Sequence, residues 1–235
     1  MRVLGIIPAR GGSKGVQGKN IRIIAGKPLI QYTIDACKNS QKLSDFVVST
    51  DSDQIKKIVE ITGTKVIDRP PELALDTSSV VDAALHVLKI IEDKNNPFDA
   101  IMLLQPTSPI RTGEDIDKAI DLLNAVLDIE GVISVIQAED NHPARMYLVN
   151  EKGYLESFLP VFEETRRQDL PNVYHRNGSI YLVRRDFLIN NRTFMPKKKA
   201  ALIMPSDFHI NIDNEQDVLL AEIVINEWNK SKKKK

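Results

Sequence analysis

Residues 2–15 read RVLGIIPARGGSKG. A short apolar run ending in a Pro/Gly-rich loop is the pattern of a buried parallel strand that feeds a functional turn. The same grammar recurs where Phe46 to Val48 lead into Ser49, Thr50 and Asp51, where Ala100 to Leu104 lead into QPTSPIR, and where Val132 to Ile136 end at a polar stretch. Between these runs lie helical spacings: Ile116, Ile120, Leu123 and Leu127 fall on one helix face, as do Val80, Ala84, Val87 and Ile91. Strands alternating with helices from residue 2 to about 137 imply right-handed crossovers. The predicted fold class is therefore α/β: a doubly wound, mainly parallel sheet covered by helices on both faces.

After Gln137 the rhythm stops. Residues 138–175 are rich in charge, aromatics and proline without a sustained helical period, and read as an insertion that protrudes from the core. Met146, Tyr147, Leu148, Tyr154, Leu155, Phe158, Leu159 and Phe162 lie in it, outside the regular pattern, and predict a dimerisation arm and a homodimer. Ser179 to Val183 resume as a strand, and Glu215 to Trp228 close the chain as an amphipathic helix. The lysines of residues 230–235 predict a disordered basic tail. A length of 235 residues suits one α/β domain over residues 1–235.

Composition narrows the function classes. With 32 basic against 32 acidic side chains the chain does not read as a general polyanion binder, so no nucleic-acid partner is expected. Pro8 and Arg10 interrupt the first apolar run, and no segment approaches the ~20 apolar residues of a membrane span, so no membrane partner is expected. Cys37 is the single cysteine; it excludes an intrachain disulfide or a thiolate zinc cluster, reads as a buried small hydrophobe and points to a reducing, cytoplasmic location. His86, His142, His175 and His209 are far apart and make no i, i+4 pair, and no G-x-S-x-G occurs, so zincin and serine-hydrolase chemistry are unsupported.

Four constellations carry the chemistry. PARGGSKGVQGKN, residues 8–20, is a phosphate cradle: its glycines let the backbone approach a ligand, and Arg10, Lys14 and Lys19 supply charge. Walker A and the dinucleotide fingerprint both fail on spacing. LLQPTSPIR, residues 103–111, presents Gln105, Thr107, Ser108 and Arg111 on a proline-stiffened turn suited to a polyhydroxylated acid, with Thr112 free to cap the next helix. HINID, residues 209–213, puts Asn211 and Asp213 on one face of an extended stretch, either as a Mg²⁺ anchor completed by nucleotide phosphates or as caps of the following helix. RRQDLPNVYHRNGSIYLVRR, residues 166–185, groups Arg166, Arg167, Arg176 and Asn177 around a turn at Gly178, with Tyr181 on the strand beyond.

Together the ordered strings PARGGSKG, GKN, STDS, RPPELALDTSS, LLQPTSPIR, RRQDLP, RNGSIYL and INID resemble the acylneuraminate cytidylyltransferases, the CMP-sialic-acid synthetase family. The resemblance implies a Rossmann-like nucleotidyltransferase fold, Mg²⁺ dependence and a homodimer in which the arm of one subunit helps build the sugar site of the other. It implies that Ala9, Arg10, Ser13, Lys14, Lys19 and Asn20 hold CTP, with Arg69 and Ser78 near the nucleoside. Gln105, Thr107, Arg145, Arg167 and Tyr181 would frame a nine-carbon 2-keto sugar acid. Asp213 and Asn211 would be the metal ligands, and Arg10, Lys19 and Asp213 the catalytic residues. The departure is at the metal motif, where the family reads D-x-D and this chain has Asn211 before Asp213. The rival expectations are a cytidylyltransferase activating the eight-carbon acid Kdo, and a nucleotide sensor without turnover.

Overall fold

The structure, a computed structural model, describes residues 1–93, 95–138 and 141–232. Residues 139 and 140 of the expected insertion and residues 233–235 of the expected tail lie outside them. The chain runs β1 (Val3–Pro8), β2 (Ile23–Ile24), β3 (Lys27–Pro28), α1 (Leu29–Asn39), β4 (Asp45–Thr50), α2 (Asp53–Ile61), β5 (Val66–Asp68), α3 (Val80–Ile91), β6 (Ala100–Leu103), α4 (Gly113–Ala125), β7 (Gly131–Gln137), β8 (Tyr147–Val149), β9 (Leu155–Ser157), β10 (Tyr174–Arg184), α5 (Arg185–Asn191), β11 (Lys199–Ile203) and α6 (Glu215–Lys232), with short 3-10 turns between.

One seven-stranded sheet has the order β11-β7-β10-β6-β1-β4-β5. Successive side chains on a strand point to opposite faces, and the apolar strands use both. Leu4, Ile6, Val47, Ile101 and Leu103 pack with Val81, Ala84, Val87 and Leu88 of α3. Val3, Ile7, Val48, Ala100 and Met102 pack with Ile30 and Ile34 of α1, Ile55 and Val59 of α2, and Ile116, Ile120 and Leu123 of α4. The sheet is thus covered on both faces, as a doubly wound fold requires.

β1 is parallel to both of its neighbours, β4 and β6. The chain winds outward through β4 and β5, then returns across β1 to β6. That reversal opens a crevice at the carboxyl ends of β1 and β6, where ligands of open α/β sheets bind. β10 is the exception to the parallel rule, running antiparallel between β6 and β7. The turn expected at Gly178 is instead a bulge within an unbroken strand: the register shifts between the pairs Arg176 with Val135 and Tyr181 with Ile133. Ser134 fills the bulge, its hydroxyl donating to Asn177 Oδ1 at 2.6 Å while accepting the Ile180 N–H at 2.7 Å.

A third cluster seats the C-terminal helix. Val218, Ala221 and Ile225 of α6 pack with Ile212, with Val16 of the Gly-rich loop, and with Ile24, Leu29 and Tyr32. α6 continues through Lys232, so Lys230 and Lys232 are helical rather than part of a disordered tail. Local contacts carry the helix on: Lys230 pairs with Glu227 at 2.7 Å, and the Lys232 ammonium lies 3.2 Å from the centroid of the Trp228 ring. Leu127, expected on the buried face of α4, is 87% exposed because the helix ends at Ala125. Among the described residues no helix is long and apolar enough to cross a membrane.

The start of α4 is fixed by a reciprocal cap. The Thr112 hydroxyl accepts from the Asp115 N–H at 3.2 Å, and the Asp115 carboxylate accepts from the Thr112 N–H at 2.8 Å. This cap stands at the end of the 103–111 loop and sets where that loop must stop. Thr112→Ala is expected to lower unfolding free energy by about 1 kcal/mol in urea titration, with no change in the slope of the transition.

Candidate active site

A cavity of about 450 Å³ opens at the crevice beside β1 and β6. Arg10, Ser13, Lys14, Lys19 and Asn20 line it from the Gly-rich loop, Arg69 and Ser78 from the segments after β5, Gln105 and Thr107 from the loop after β6, and Asp213 from the C-terminal segment. Four cations therefore face two carboxylates, Asp76 and Asp213, giving the walls a net positive charge suited to a polyphosphate.

Each cation is held differently. Arg69 is buried, donating through Nε to Ser49 Oγ at 3.1 Å and through Nη2 to the Ser49 carbonyl at 2.7 Å. Burial pushes its guanidinium below the ordinary arginine range, with Asp51 opposing the shift. Lys19 is also largely covered, and its ammonium donates to the Ile212 carbonyl at 2.8 Å and to Asp213 Oδ1 at 3.2 Å. Arg10 reaches Asp76 at 2.7 Å and the Leu75 carbonyl at 3.0 Å, while Lys14 takes the other Asp76 oxygen at 2.7 Å. Asn20 is a buried brace, donating to the Arg10 carbonyl at 3.0 Å.

The three loops meet on Ile212. Its N–H donates to the Thr107 carbonyl at 3.0 Å, its carbonyl receives Lys19, and its side chain is fully buried. One residue earlier, Asn211 Oδ1 accepts the Ser108 hydroxyl at 2.5 Å. The Gly-rich loop presses so closely on this segment that a Cβ added at Gly15 would stand 1.9 Å from the Asp213 carbonyl oxygen. Glycine is required there for the approach itself.

The family profile described as cytidylyltransferase matches residues 4–227. The chain belongs to the cytidylyltransferase family. It is 34% identical over 221 residues to the N-acylneuraminate cytidylyltransferase of Streptococcus agalactiae serotype III (strain NEM316), covering 93% of this chain and 52% of the relative. The chain thus spans about half the length of several curated relatives it matches. It is 35% identical to the CMP-N,N'-diacetyllegionaminic acid synthase of Legionella pneumophila, covering 94% of this chain and 95% of that one. Among solved structures, the CMP:2-keto-3-deoxy-manno-octonic acid synthetase complexed with CTP shares the fold, with a TM-score of 0.73 at 18% identity and coverage of 97% and 99%.

Several residues expected in the cytidylyltransferase site stand elsewhere. Ala9 has its side chain sealed in the core, with its N–H bonded to the Ser49 carbonyl. Tyr181 points to the α3 face of the sheet and packs against that apolar cluster, not into the cavity. Arg145 is engaged within the insertion, donating to the carbonyls of Glu163 at 3.0 Å and Thr165 at 2.6 Å. Arg167 lies in a 3-10 turn of the same insertion, away from the cavity wall. Ser108 and Arg111, expected to be presented to ligand, are buried. Arg111 instead staples its own loop from inside, donating to the Gln105 and Ser108 carbonyls, and burial pushes its pKa down to about 10. Of the Arg166, Arg176 and Asn177 grouping, Arg166 pairs with Asp169, Arg176 reaches the Met195 sulfur, and Asn177 is buried in the bulge.

Asp76 is the residue the sequence reading left without a role. It lies within the quoted string RPPELALDTSS, four residues after Glu72 and just before a helix, and nothing in that local pattern marks it as a partner of the Gly-rich loop.

For a metal, the cavity wall offers two exposed carboxylates; Asp76 is shared between Arg10 and Lys14, which leaves Asp213 as the candidate. Asn211 is turned onto Ser108 and is absent from that wall, and among the described residues no three His, Cys, Asp or Glu side chains cluster as a metal set. A hard cation whose shell is completed by phosphate oxygens fits Asp213.

The packing at Gly15 predicts a contrast with Gly12, whose added Cβ meets nothing within 4 Å. Gly15→Ala is expected to lose about 1–3 kcal/mol of stability together with CTP affinity, as the 211–213 segment is pushed off the loop. Gly12→Ala is expected to stay within about 0.5 kcal/mol of the parent. Urea unfolding and CTP titration calorimetry check both.

Proposed function

We propose that the chain transfers CMP from CTP to a nine-carbon 2-keto sugar acid, N-acetylneuraminate or a related nonulosonate, releasing pyrophosphate. The observation that carries this is the cavity itself: four cations from two segments, the Gly-rich loop and the stretch after β5, line it together with Gln105 and Thr107 of the loop after β6. The relatives named for N-acylneuraminate and for diacetyllegionaminic acid support the sugar class.

In this reading Arg10, Lys14 and Lys19 bind the phosphate chain and neutralise charge as pyrophosphate leaves, while Arg69 and Ser78 hold the nucleoside end. The anomeric hydroxyl of the sugar acid, oriented by Gln105 and Thr107, attacks the α-phosphorus in line. Positioning and charge neutralisation supply most of the catalysis in such reactions, so no covalent enzyme intermediate is needed. Mg²⁺, held by Asp213 and phosphate oxygens, would supply further charge neutralisation; Asn211 would join as a neutral helper only on leaving the Ser108 hydroxyl. Lys19 keeps Asp213 beside the phosphate site through their 3.2 Å contact.

The insertion supports a homodimer. The hairpin of β8 and β9 and the residues after it leave Leu148, Val149, Tyr154, Leu155, Phe158 and Val161 exposed, apolar side chains that a second copy would cover. An arm supplied by that copy would bring Arg145 and Arg167 towards the sugar.

Pyrophosphate release from CTP with Mg²⁺ is expected with at least one of N-acetylneuraminate, diacetyllegionaminate and pseudaminate and not with Kdo. Release with Kdo alone would reassign the sugar, and nucleotide binding without release from any acid would make the chain a sensor. In the same assay Asp213→Asn should abolish most Mg²⁺-dependent turnover, while Asn211→Asp should retain or improve function at limiting Mg²⁺. An unchanged midpoint in both variants would retire the metal assignment. Sedimentation equilibrium at micromolar concentration should give a mass near twice that of the chain; a monomer there would remove the shared sugar site.

A further inference from the structure

The two most forward cations of the phosphate cradle share one carboxylate. Asp76 Oδ1 lies 2.7 Å from Arg10 Nη2, and Asp76 Oδ2 lies 2.7 Å from Lys14 Nζ. Each oxygen takes one cation, which is how two oxygens of a phosphate would be received. The Lys14 side chain is 80% exposed, and among the described residues Asp76 is the partner that holds it over the cavity. Lys14 first and Arg10 with it keep the Asp76 carboxyl below the ordinary carboxylate range, so it is charged whenever these contacts stand.

Resting on the phosphate-cradle reading above, we propose that Asp76 is an internal surrogate for substrate phosphate: it competes with the phosphate chain for Arg10 and Lys14 and thereby selects ligands by phosphate charge. A phosphate reaching these two cations meets the Asp76 charge in the same place and must displace it. Inorganic pyrophosphate and the β,γ end of a triphosphate carry enough oxygens and charge to engage Arg10, Lys14 and Lys19 together. A single phosphate ester cannot reach all three and competes poorly. In the proposed reaction the product retains one phosphate, so return of Asp76 to Arg10 and Lys14 favours its release.

The segment carrying Asp76 is built to allow the exchange. Residues 74–78 have no helix or strand, and lie between the 3-10 turn Pro71–Leu73 and α3. Both ends are secured independently of Asp76. Ser78 Oγ donates to the Glu72 carbonyl at 2.8 Å, and Ser79 caps α3 by accepting the Val81 N–H at 3.1 Å. Asp76 can leave the cations without unwinding α3. The turn that carries Asp76 is closed by the Ser78 N–H donating to the Leu75 carbonyl at 3.0 Å, and Arg10 Nη1 donates to that carbonyl as well.

The opposite role is physically distinct. Were Asp76 a strut that preorganises Arg10 and Lys14 for phosphate, removing its charge would loosen both and weaken binding.

Calorimetric titration of inorganic pyrophosphate and of CMP into the parent, Asp76→Asn, Lys14→Ala and the double variant separates the two. Pyrophosphate is expected to bind Asp76→Asn about 3- to 10-fold more tightly, the scale of one or two exposed ion pairs. CMP should change less than about twofold, within the scatter of an exposed ion pair, and the gain for pyrophosphate should shrink in the Lys14→Ala background. Asp76→Glu, which keeps the charge, should bind like the parent. Unchanged or weaker pyrophosphate binding by an Asp76→Asn protein that melts like the parent overturns the proposal, and equal tightening for CMP overturns the selection by phosphate charge. If the parent binds no pyrophosphate and Arg10→Ala alters nothing, the cradle reading fails and this inference with it. Parent binding that Arg10→Ala weakens and Asp76→Asn leaves alone removes the Asp76 role only.

Discussion

Ile212 is the point on which the site depends. Its side chain is sealed between the Gly-rich loop and α6, its N–H is bonded to the loop after β6, and its carbonyl receives the Lys19 ammonium. A residue of the chain's last fifth thereby fixes the two loops that follow β1 and β6. Burial of one apolar side chain places a carboxylate, Asp213, on one side of it and an amide, Asn211, on the other. Extended backbone would set those two side chains on a common face, yet only Asp213 reaches the cavity wall, because Ser108 captures Asn211.

That asymmetry makes charge, more than shape, the organising quantity of the cavity. The positive side is assembled from residues whose environments differ: Arg69 is buried on backbone and hydroxyl acceptors, Lys19 is covered and shared with Asp213, and Lys14 stands in solvent. Buried cations are rigid and costly to neutralise, whereas exposed ones are mobile and easily screened. A polyphosphate therefore meets a firm wall on the Arg69 and Lys19 side and an adjustable one at Lys14.

Much of the fold was legible because the central strands are apolar on both faces and end in polar, proline- or glycine-marked loops. β1, β4, β6 and β7 announce themselves in this way, and so does the crevice at their ends. β5 and β11 sit at the two edges of the sheet, one short and the other partly exposed, and so carry a weaker apolar signal. The cradle residues were readable because glycine and cations follow a strand directly. Tyr181 and Arg111 were misplaced for a different reason. The face on which Tyr181 lands is set by the strand's period and by a bulge that no local pattern marks, and a buried arginine that bonds its own loop has the same local sequence as one that bonds a ligand. Asp76 was invisible as a partner because its contacts reach across 62 to 66 residues of sequence.

The direction of β10 has a consequence for how the chain tolerates change. An antiparallel strand begins where its parallel neighbours end: Tyr174 stands opposite Gln137, the last residue of β7, and Arg184 opposite Ala100, the first of β6. The insertion therefore leaves and re-enters the sheet at the same end as the loops that line the cavity. Because β10 is clamped on both sides, a residue added to or lost from the insertion cannot be absorbed by sliding the strand, since a slip of one would exchange Tyr181 and Leu182 between opposite faces. A change of length in the insertion therefore falls to the irregular segments between β7 and β10, and the strand itself keeps its register.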